Sequence, residues 1–277
     1  MTKVESVERY QEIVRQYNRK GCAANDYIQR EVASLVLNGS LFEHCGANNA
    51  FLFVKKPVGY RLYYYVNDFS ECLSIGQGDF VVELLYRTAG GMPKDEISYF
   101  KRNGFETAQL RYQYSGVYSD LKTLNLHPDF QIDYAQDLHE VGCAARLFNE
   151  SFDPMTGLYV AEDEYASLLA NKRIVVAREW ENGDFLGAVH FIAGARVSEW
   201  LHLAVAKHAR GRGVGSALCD AFAEYAHVDE HSRFIFFARP DNLSGIRMYL
   251  AKGFKHNGKA SLSMVRRSVN AQATVKF

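Results

Sequence analysis

The sequence lacks any long apolar run. No stretch approaches the roughly 20 residues that a membrane-spanning helix needs, and the first 20 residues, MTKVESVERYQEIVRQYNRK, carry charges throughout. Such a start is unlike the apolar core of a signal peptide. We therefore expect a protein with neither a signal peptide nor a transmembrane start.

The sequence also lacks an excess of charge of either sign. Its 32 lysine and arginine residues balance its 32 aspartate and glutamate residues, so the net charge at pH 7 is zero. A nucleic-acid groove or a site for an anionic membrane surface is usually strongly basic. We therefore expect neither nucleic acid nor a membrane as a partner.

Clusters of cysteine and histidine are missing as well. The five cysteines form no C-x-x-C pair, and the nine histidines show no H-E-x-x-H spacing. The pattern therefore predicts no metal site. Reduced thiols in a cytoplasmic protein are the simplest interpretation, and Cys219, beside the apolar stripe of a predicted helix, is expected in the core.

Two domains fit the length and the pattern of the chain. The helix and strand patterns lapse around LKTLNLHPDF, which places a boundary between residues 1–125 and residues 126–277. The second half predicts a strand, two helices, three strands, a helix, a strand, a helix and a final pair of strands. This order predicts an α/β (α+β) fold in which helices cover both faces of a mixed sheet.

One segment of the second half, LHLAVAKHARGRGVGSALC, has the pattern of an anion-binding turn. An apolar strand leads into a turn with glycines at positions 211, 213 and 215, and a helical pattern follows at once. Glycines let the backbone approach a ligand closely, and a helix N-terminus attracts anions. Arg210 and Arg212 add positive charge. The segment therefore predicts a site for phosphate or pyrophosphate.

Two other phosphate-binding loops do not fit this segment. A Walker loop requires a lysine after its last glycine, and none follows here. A dinucleotide-binding loop requires glycine or alanine where this chain has Ser216. Both are therefore set aside.

The segment resembles instead the acetyl-CoA signature of the GNAT N-acetyltransferase superfamily. That signature, R-x-x-G-x-G after a strand, is carried by Arg210, Gly213 and Gly215. The order of predicted strands and helices from residue 127 onward agrees with the GNAT fold.

A second GNAT signature is similar to the downstream segment NLSGIRMYLAKGF. Its positions are filled by Asn242, Tyr249, Gly253 and Phe254, while Gly245 replaces the more usual alanine. Two signatures in the correct order are more specific than either alone.

The resemblance implies an acyl-CoA-dependent N-acetyltransferase, with acetyl-CoA as co-substrate and an amine as acceptor. It implies direct transfer in a ternary complex, without a metal. By this resemblance, acetyl-CoA would bind to the end of the strand before the glycine turn, to the turn itself and to one asparagine. These residues are Leu203, Ala204, Val205, Arg210, Gly211, Arg212, Gly213, Val214, Gly215, Ser216 and Asn242.

The resemblance also implies two catalytic residues. Tyr249 would donate a proton to the departing thiolate, and Glu199, at the start of the strand before the turn, would accept a proton from the amine. By strand alternation, Glu199, Leu201, Leu203 and Val205 are expected on one face, with His202 on the other. His202 and His190 are lesser candidates for the base.

The acceptor itself is not predicted. In this fold the loop SFDPMTGLYV, the following helix and the last strands shape its site. Asp153, Tyr159 and Glu162 could contact an amine there, or they could be ordinary polar residues of a loop. An alcohol acceptor, a longer acyl group, an acyl-carrier protein as donor, or a non-catalytic acyl-CoA sensor all remain open.

The first half of the chain contains a short segment that is weakly similar to one in the second half. YFKRNGF ends a predicted helix as YLAKGF does, and this alignment places Phe100 at the tyrosine and Pro93 at the asparagine position. Neither side chain can replace its counterpart, and no R-x-x-G-x-G lies upstream. Residues 1–125 are therefore interpreted as a degenerate, non-catalytic GNAT-like domain, with an unrelated α+β domain as the alternative.

Overall fold

The chain folds into two compact units in a computed structural model that describes residues 1–122 and 130–268. Unit 1 contains Met1–Leu110 and the residues from Ala260 onward, and unit 2 contains Arg111–Lys259. The predicted boundary between residues 125 and 126 falls outside the described residues. Two long strands, β7 (Glu106–Val117) and β13 (Lys255–Arg266), contribute residues to both units.

Unit 1 is built on a mixed sheet of order β1-β3-β4-β5-β6, in which only β5 and β6 pair in parallel. Its elements are β1 (Thr2–Lys3), α1 (Val7–Tyr17), β2 (Ala23–Ala24), α2 (Val32–Leu37), β3 (Leu41–Cys45), β4 (Ala50–Lys55), β5 (Tyr60–Val66), β6 (Phe80–Arg87) and α3 (Lys94–Arg102).

Unit 2 is built on a mixed sheet of order β7-β12-β11-β10-β9-β8, in which only β11 and β12 pair in parallel. Its elements are β8 (Phe130–Tyr134), α4 (Leu138–Ser151), α5 (Tyr165–Ala170), β9 (Ile174–Glu179), β10 (Phe185–Ile192), β11 (Val197–Val205), α6 (Val214–Ala226), β12 (Arg233–Ala238) and α7 (Leu243–Ala251). The predicted mixed α/β architecture is confirmed.

Helices cover both faces of the unit 2 sheet because each carries one apolar face. Asp137 is the N-cap of helix α4, and its side chain accepts a hydrogen bond from the Glu140 N–H. The helix packs with α5 on one face. Helix α6 packs on the other face, where Phe222 and Cys219 are almost fully buried. Cys219 therefore lies in the core, as expected.

One expectation at the end of the chain is wrong. The sequence predicts two final strands, around FKHN and SLSMVRR, but the structure has the single strand β13. Gly258 adopts a left-handed φ of 80° within it. The strand therefore continues past Gly258 without a break.

Candidate functional site

The glycine turn ends at an uncapped helix N-terminus. Gly213 is the N-cap of α6 and has a left-handed φ of 84°, and no side chain caps the helix. Gly211 has a φ of 81°, and a Cβ added there would meet no atom within 4 Å. The first-turn N–H groups lack partners within a helix and have no side-chain cap, as an anion site requires.

The two arginines of the turn have different surroundings. The Arg210 side chain is exposed, and its Nε donates to the Val205 carbonyl at 3.3 Å. Arg212 forms a two-pronged ion pair with Glu179 at the end of β9, with N–O distances of 2.6 and 3.2 Å. The hydrogen bond from Arg212 lowers the pKa of the Glu179 carboxyl. Arg212 thus ties the turn to the sheet.

Strands β11 and β12 pair over a short distance and then separate. In the described chain, their pairing is confined to Val197–Glu199 with Arg233–Ile235. Residues 200–205 therefore continue along β11 without a partner on β12. This separation leads directly to the glycine turn.

A β-bulge lies where the strands separate. His190 of β10 pairs with His202, but the next residue, Phe191, pairs with Trp200. Leu201 is thus an extra residue on β11. A bulge of this kind re-aims the side chains that flank it.

The bulge reverses the side-chain alternation of β11. Trp200 packs in the core beneath α6 and α7, whereas His202 stacks on Phe148 of α4 with ring centroids 4.9 Å apart. Glu199 therefore lies on the α4 face together with His202. The expectation that Glu199 shares a face with Leu203 is wrong, because simple alternation does not account for the extra residue.

The two predicted catalytic residues lie on opposite faces at this point. Tyr249 of α7 packs against Trp200 and Phe236 on the α6 face, with ring centroids 5.3 and 4.6 Å away. Burial raises the pKa of the Tyr249 hydroxyl far above its ordinary value. On the other face, burial raises the pKa of the Glu199 carboxyl, and the positive charge of Arg111 opposes part of that rise.

Asn242 caps helix α7. Its side-chain oxygen accepts a hydrogen bond from the Gly245 N–H at 3.1 Å. A hydrogen bond between the Asn242 side chain and the Tyr249 hydroxyl lowers the pKa of that hydroxyl, and so offsets part of the increase that burial causes. A Cβ on residue 245 would lie 2.5 Å from the Asn242 Nδ2, so the unusual glycine provides the space for this cap.

Two histidines form a buried pair on the α4 face. The Nδ1 atoms of His190 and His202 are 3.4 Å apart, and both side chains are almost inaccessible. Burial lowers the pKa of His190 to about 4 and that of His202 to about 3. Both rings are therefore neutral at neutral pH, and neither is a strong base there.

The three candidate acceptor residues follow α4 in the chain, between Ser151 and the start of α5. The Asp153 carboxylate accepts hydrogen bonds from the backbone N–H groups of Met155 and Thr156, so it shapes its own loop. Tyr159 is partly exposed, and Glu162 begins a short 3-10 helix.

Some features were missed from sequence. The bulge at Leu201 left no local signal. For Arg111 the sequence did contain a signal, because the strand alternation in ETAQLRYQYSGVY places Arg111 on one face of the strand with Gln113. Across the described residues, no group of three or more histidine, cysteine, aspartate or glutamate side chains could hold a metal ion. Within the same ranges, no helix has the length and apolar character needed to cross a membrane.

The comparison with protein families agrees with this geometry. Residues 141–254 match the model of the acetyltransferase (GNAT) family, a range that includes the bulge, the glycine turn and Tyr249. The C-terminal region belongs to the GNAT family. The sequence matches no curated protein.

Solved structures extend the similarity over most of the chain, at identities that show the fold alone. A GCN5-related N-acetyltransferase from Kribbella flavida is 13% identical, with a TM-score of 0.55 over 87% of this chain and 96% of its own. A tandem GNAT protein from the clavulanic acid biosynthesis pathway is 12% identical, with a TM-score of 0.55 over 82% and 83%. A Drosophila protein is 11% identical, with a TM-score of 0.60 over 94% and 96%. The GNAT fold and its tandem arrangement are thus confirmed.

Proposed function

We propose that the protein is an acyl-CoA-dependent N-acetyltransferase that transfers an acetyl group directly to an amine. The observation that carries the proposal is the separation of β11 from β12 after Glu199 and Ile235, which leads to the uncapped N-terminus of α6. An extended strand edge followed by a cluster of backbone N–H groups suits a ligand with a long amide arm and a pyrophosphate.

In this proposal the backbone N–H groups from Arg210 to Ser216 hold the pyrophosphate. The exposed Arg210 guanidinium adds charge, while Arg212 keeps the turn in place through Glu179. Leu203, Ala204 and Val205 pair with the amide arm like an added strand, and one of their N–H groups polarises the thioester carbonyl. The Asn242 amide contacts the arm from α7.

The chemistry needs one proton acceptor and one proton donor. Glu199 takes a proton from the ammonium, and the neutral nitrogen attacks the thioester carbon as the carbon–sulfur bond breaks. Tyr249 then donates its proton to the departing thiolate, and the second proton, which the nitrogen loses as the amide forms, restores the Tyr249 hydroxyl. Because these side chains lie on opposite faces, the amine would approach from the α4 face and the thiol would form on the α6 face. The buried Tyr249 hydroxyl stays protonated at neutral pH, as a donor must.

Calorimetry with acetyl-CoA tests the binding site. Gly213→Glu places a side chain and a negative charge at the turn, and we expect it to abolish the micromolar binding of the unaltered protein. Gly21→Glu is the matched control, because Gly21 lies in unit 1 with a similar φ of 87° and open space around it.

Release of free thiol from acetyl-CoA tests the activity. We expect amines to stimulate release, and Tyr249→Phe to slow it by about 100-fold or more, which is the usual range for loss of a general acid. Absence of acetyl-CoA binding by the unaltered protein would refute the proposal. Binding without any amine-dependent release would favour an acyl-CoA sensor instead.

A further inference from the structure

The α4 face of the unit 2 sheet presents more than Glu199 at the separation of the strands. Glu199 pairs with Ile235 on β12, and paired residues of neighbouring strands point to the same face. Phe237, two residues further along β12, therefore points to this face as well. Phe236 between them packs against Trp200 on the opposite face. The side of the opening that carries Glu199 is thus lined by Ile235 and Phe237.

Arg111 lies on this same face. Its neighbour in alternation, Gln113, pairs directly with Phe237 across β7 and β12. The Arg111 guanidinium carbon lies over the Phe237 ring, 5.7 Å from its centroid. Its positive charge acts on both Glu199 and His202. A cation and a carboxylate therefore border one opening, from strands on either side of β12.

The placement of Arg111 and Glu199 on one face is poorly explained by stabilisation of the fold alone. A half-buried charge loses hydration, and the attraction of its partner often only offsets that loss. The neighbouring histidine pair is neutral at neutral pH and adds no charge. A guanidinium held by an aromatic face is, however, well suited to bind a carboxylate through two parallel hydrogen bonds.

We propose that the acceptor is an amine that also carries a carboxylate, which Arg111 binds while Glu199 accepts the ammonium proton. The inference rests on the proposed acetyltransferase function and names its substrate class. The ammonium of such a molecule matches Glu199, and its carboxylate matches Arg111. A simple alkyl amine leaves Arg111 without a counter-charge from the substrate, so we expect it to be acetylated less efficiently.

Matched pairs of acceptors test this inference. Thiol release from acetyl-CoA is measured with α- and ω-amino acids of increasing length, each beside its own carboxamide, which keeps the amine and removes the negative charge. We expect the best amino acid to exceed its carboxamide in kcat/KM by about 10- to 100-fold, the range given by one hydrogen-bonded charge pair. The difference should lie mainly in KM.

Variants of Arg111 supply the second readout. In Arg111→Gln, the ratio of kcat/KM between acid and carboxamide should fall to about one, and Arg111→Lys should restore part of it. Arg233→Gln is the matched control, because Arg233 is an exposed arginine at the other end of β12, and its ratio should equal that of the unaltered protein.

Two results would overturn the inference while leaving the acetyltransferase proposal intact. One is equal kcat/KM for acid and carboxamide in the unaltered protein. The other is an equal loss for both acceptors in Arg111→Gln, which would make Arg111 only a partner of Glu199. If acetyl-CoA itself fails to bind in calorimetry, the proposed function and this inference fall together.

Discussion

At the scale of single residues, the buried histidine pair makes the stability of unit 2 sensitive to acid. Burial lowers the pKa of His190 from its ordinary 6.5 to about 4 and that of His202 to about 3. Above pH 6.5 both are neutral whether the chain is folded or unfolded. As the pH falls below that value, the unfolded chain binds protons first, so the free energy of unfolding decreases until the folded pair is also protonated.

The expected loss is on the order of 6 kcal/mol between neutral pH and about pH 4, because both histidines gain a proton in the unfolded chain about 2.5 pH units before the folded pair does, and each such proton contributes about 1.4 kcal/mol per pH unit. Urea unfolding across this range measures it. The double variant His190→Phe/His202→Phe keeps two rings beside Phe148 and should flatten the dependence. His231→Phe, at an exposed site, should not. An equally steep dependence in the double variant would contradict this account.

At the scale of elements, sequence patterns predicted the parts of the site that are set locally. The strand, the glycine turn and α6 follow one another in the chain, so apolar spacing and three glycines identify them. The direction of Glu199 could not be predicted in this way. It depends on the register between β10 and β11, where Leu201 is extra, and register is fixed by pairing between distant segments.

Helix α2 shows the same limit in unit 1. The apolar spacing of DYIQREVASLVL indicates a helix over the whole segment, but the observed helix is Val32–Leu37. Tyr27, expected on its buried face, is 58% exposed. Ile28 and Val32 are buried in the same cluster nevertheless. The pattern thus identified Ile28 and Val32 correctly as buried, was wrong about Tyr27, and overestimated the length of the helix.

The cap of helix α7 gives a prediction about the unusual glycine of the second signature. Asn242→Ala should cost about 1 kcal/mol, because the Gly245 N–H loses its acceptor. Gly245→Ala displaces the Asn242 amide, so the loss of the cap should offset much of the gain in helix propensity of up to about 1 kcal/mol. With the amide removed, the alanine has space, and the double variant should be more stable than Asn242→Ala alone.

A double-mutant cycle by urea unfolding measures this coupling. The matched control is Asn242→Ala combined with Ser244→Ala, since Ser244 is an exposed neighbour in the same turn and should be additive. Additive effects of Asn242→Ala and Gly245→Ala would show that the amide does not oppose a side chain at position 245.

At the scale of the whole molecule, the two units repeat one order of elements with one omission. In each, two helices precede a set of antiparallel strands, and a parallel pairing of three residues follows: Tyr60–Leu62 with Phe80–Val82 in unit 1 and Val197–Glu199 with Arg233–Ile235 in unit 2. Helix α6 lies between the parallel strands of unit 2. Residues 67–79, all described, contain no helix between β5 and β6.

This omission predicts one acyl-CoA site per chain. Without a counterpart of α6, unit 1 offers no helix N-terminus beyond its parallel strands to hold a pyrophosphate. Pro93, at the N-cap of α3, provides no side-chain cap, and Phe100 is fully buried among aromatic rings. We therefore expect calorimetry to give one acetyl-CoA per chain. Acetyl-CoA at about 100 times its Kd should stabilise the folded protein by about 2.7 kcal/mol, and Gly213→Glu should remove both effects together. A second site that persists in Gly213→Glu would show that unit 1 has kept its own acyl-CoA binding.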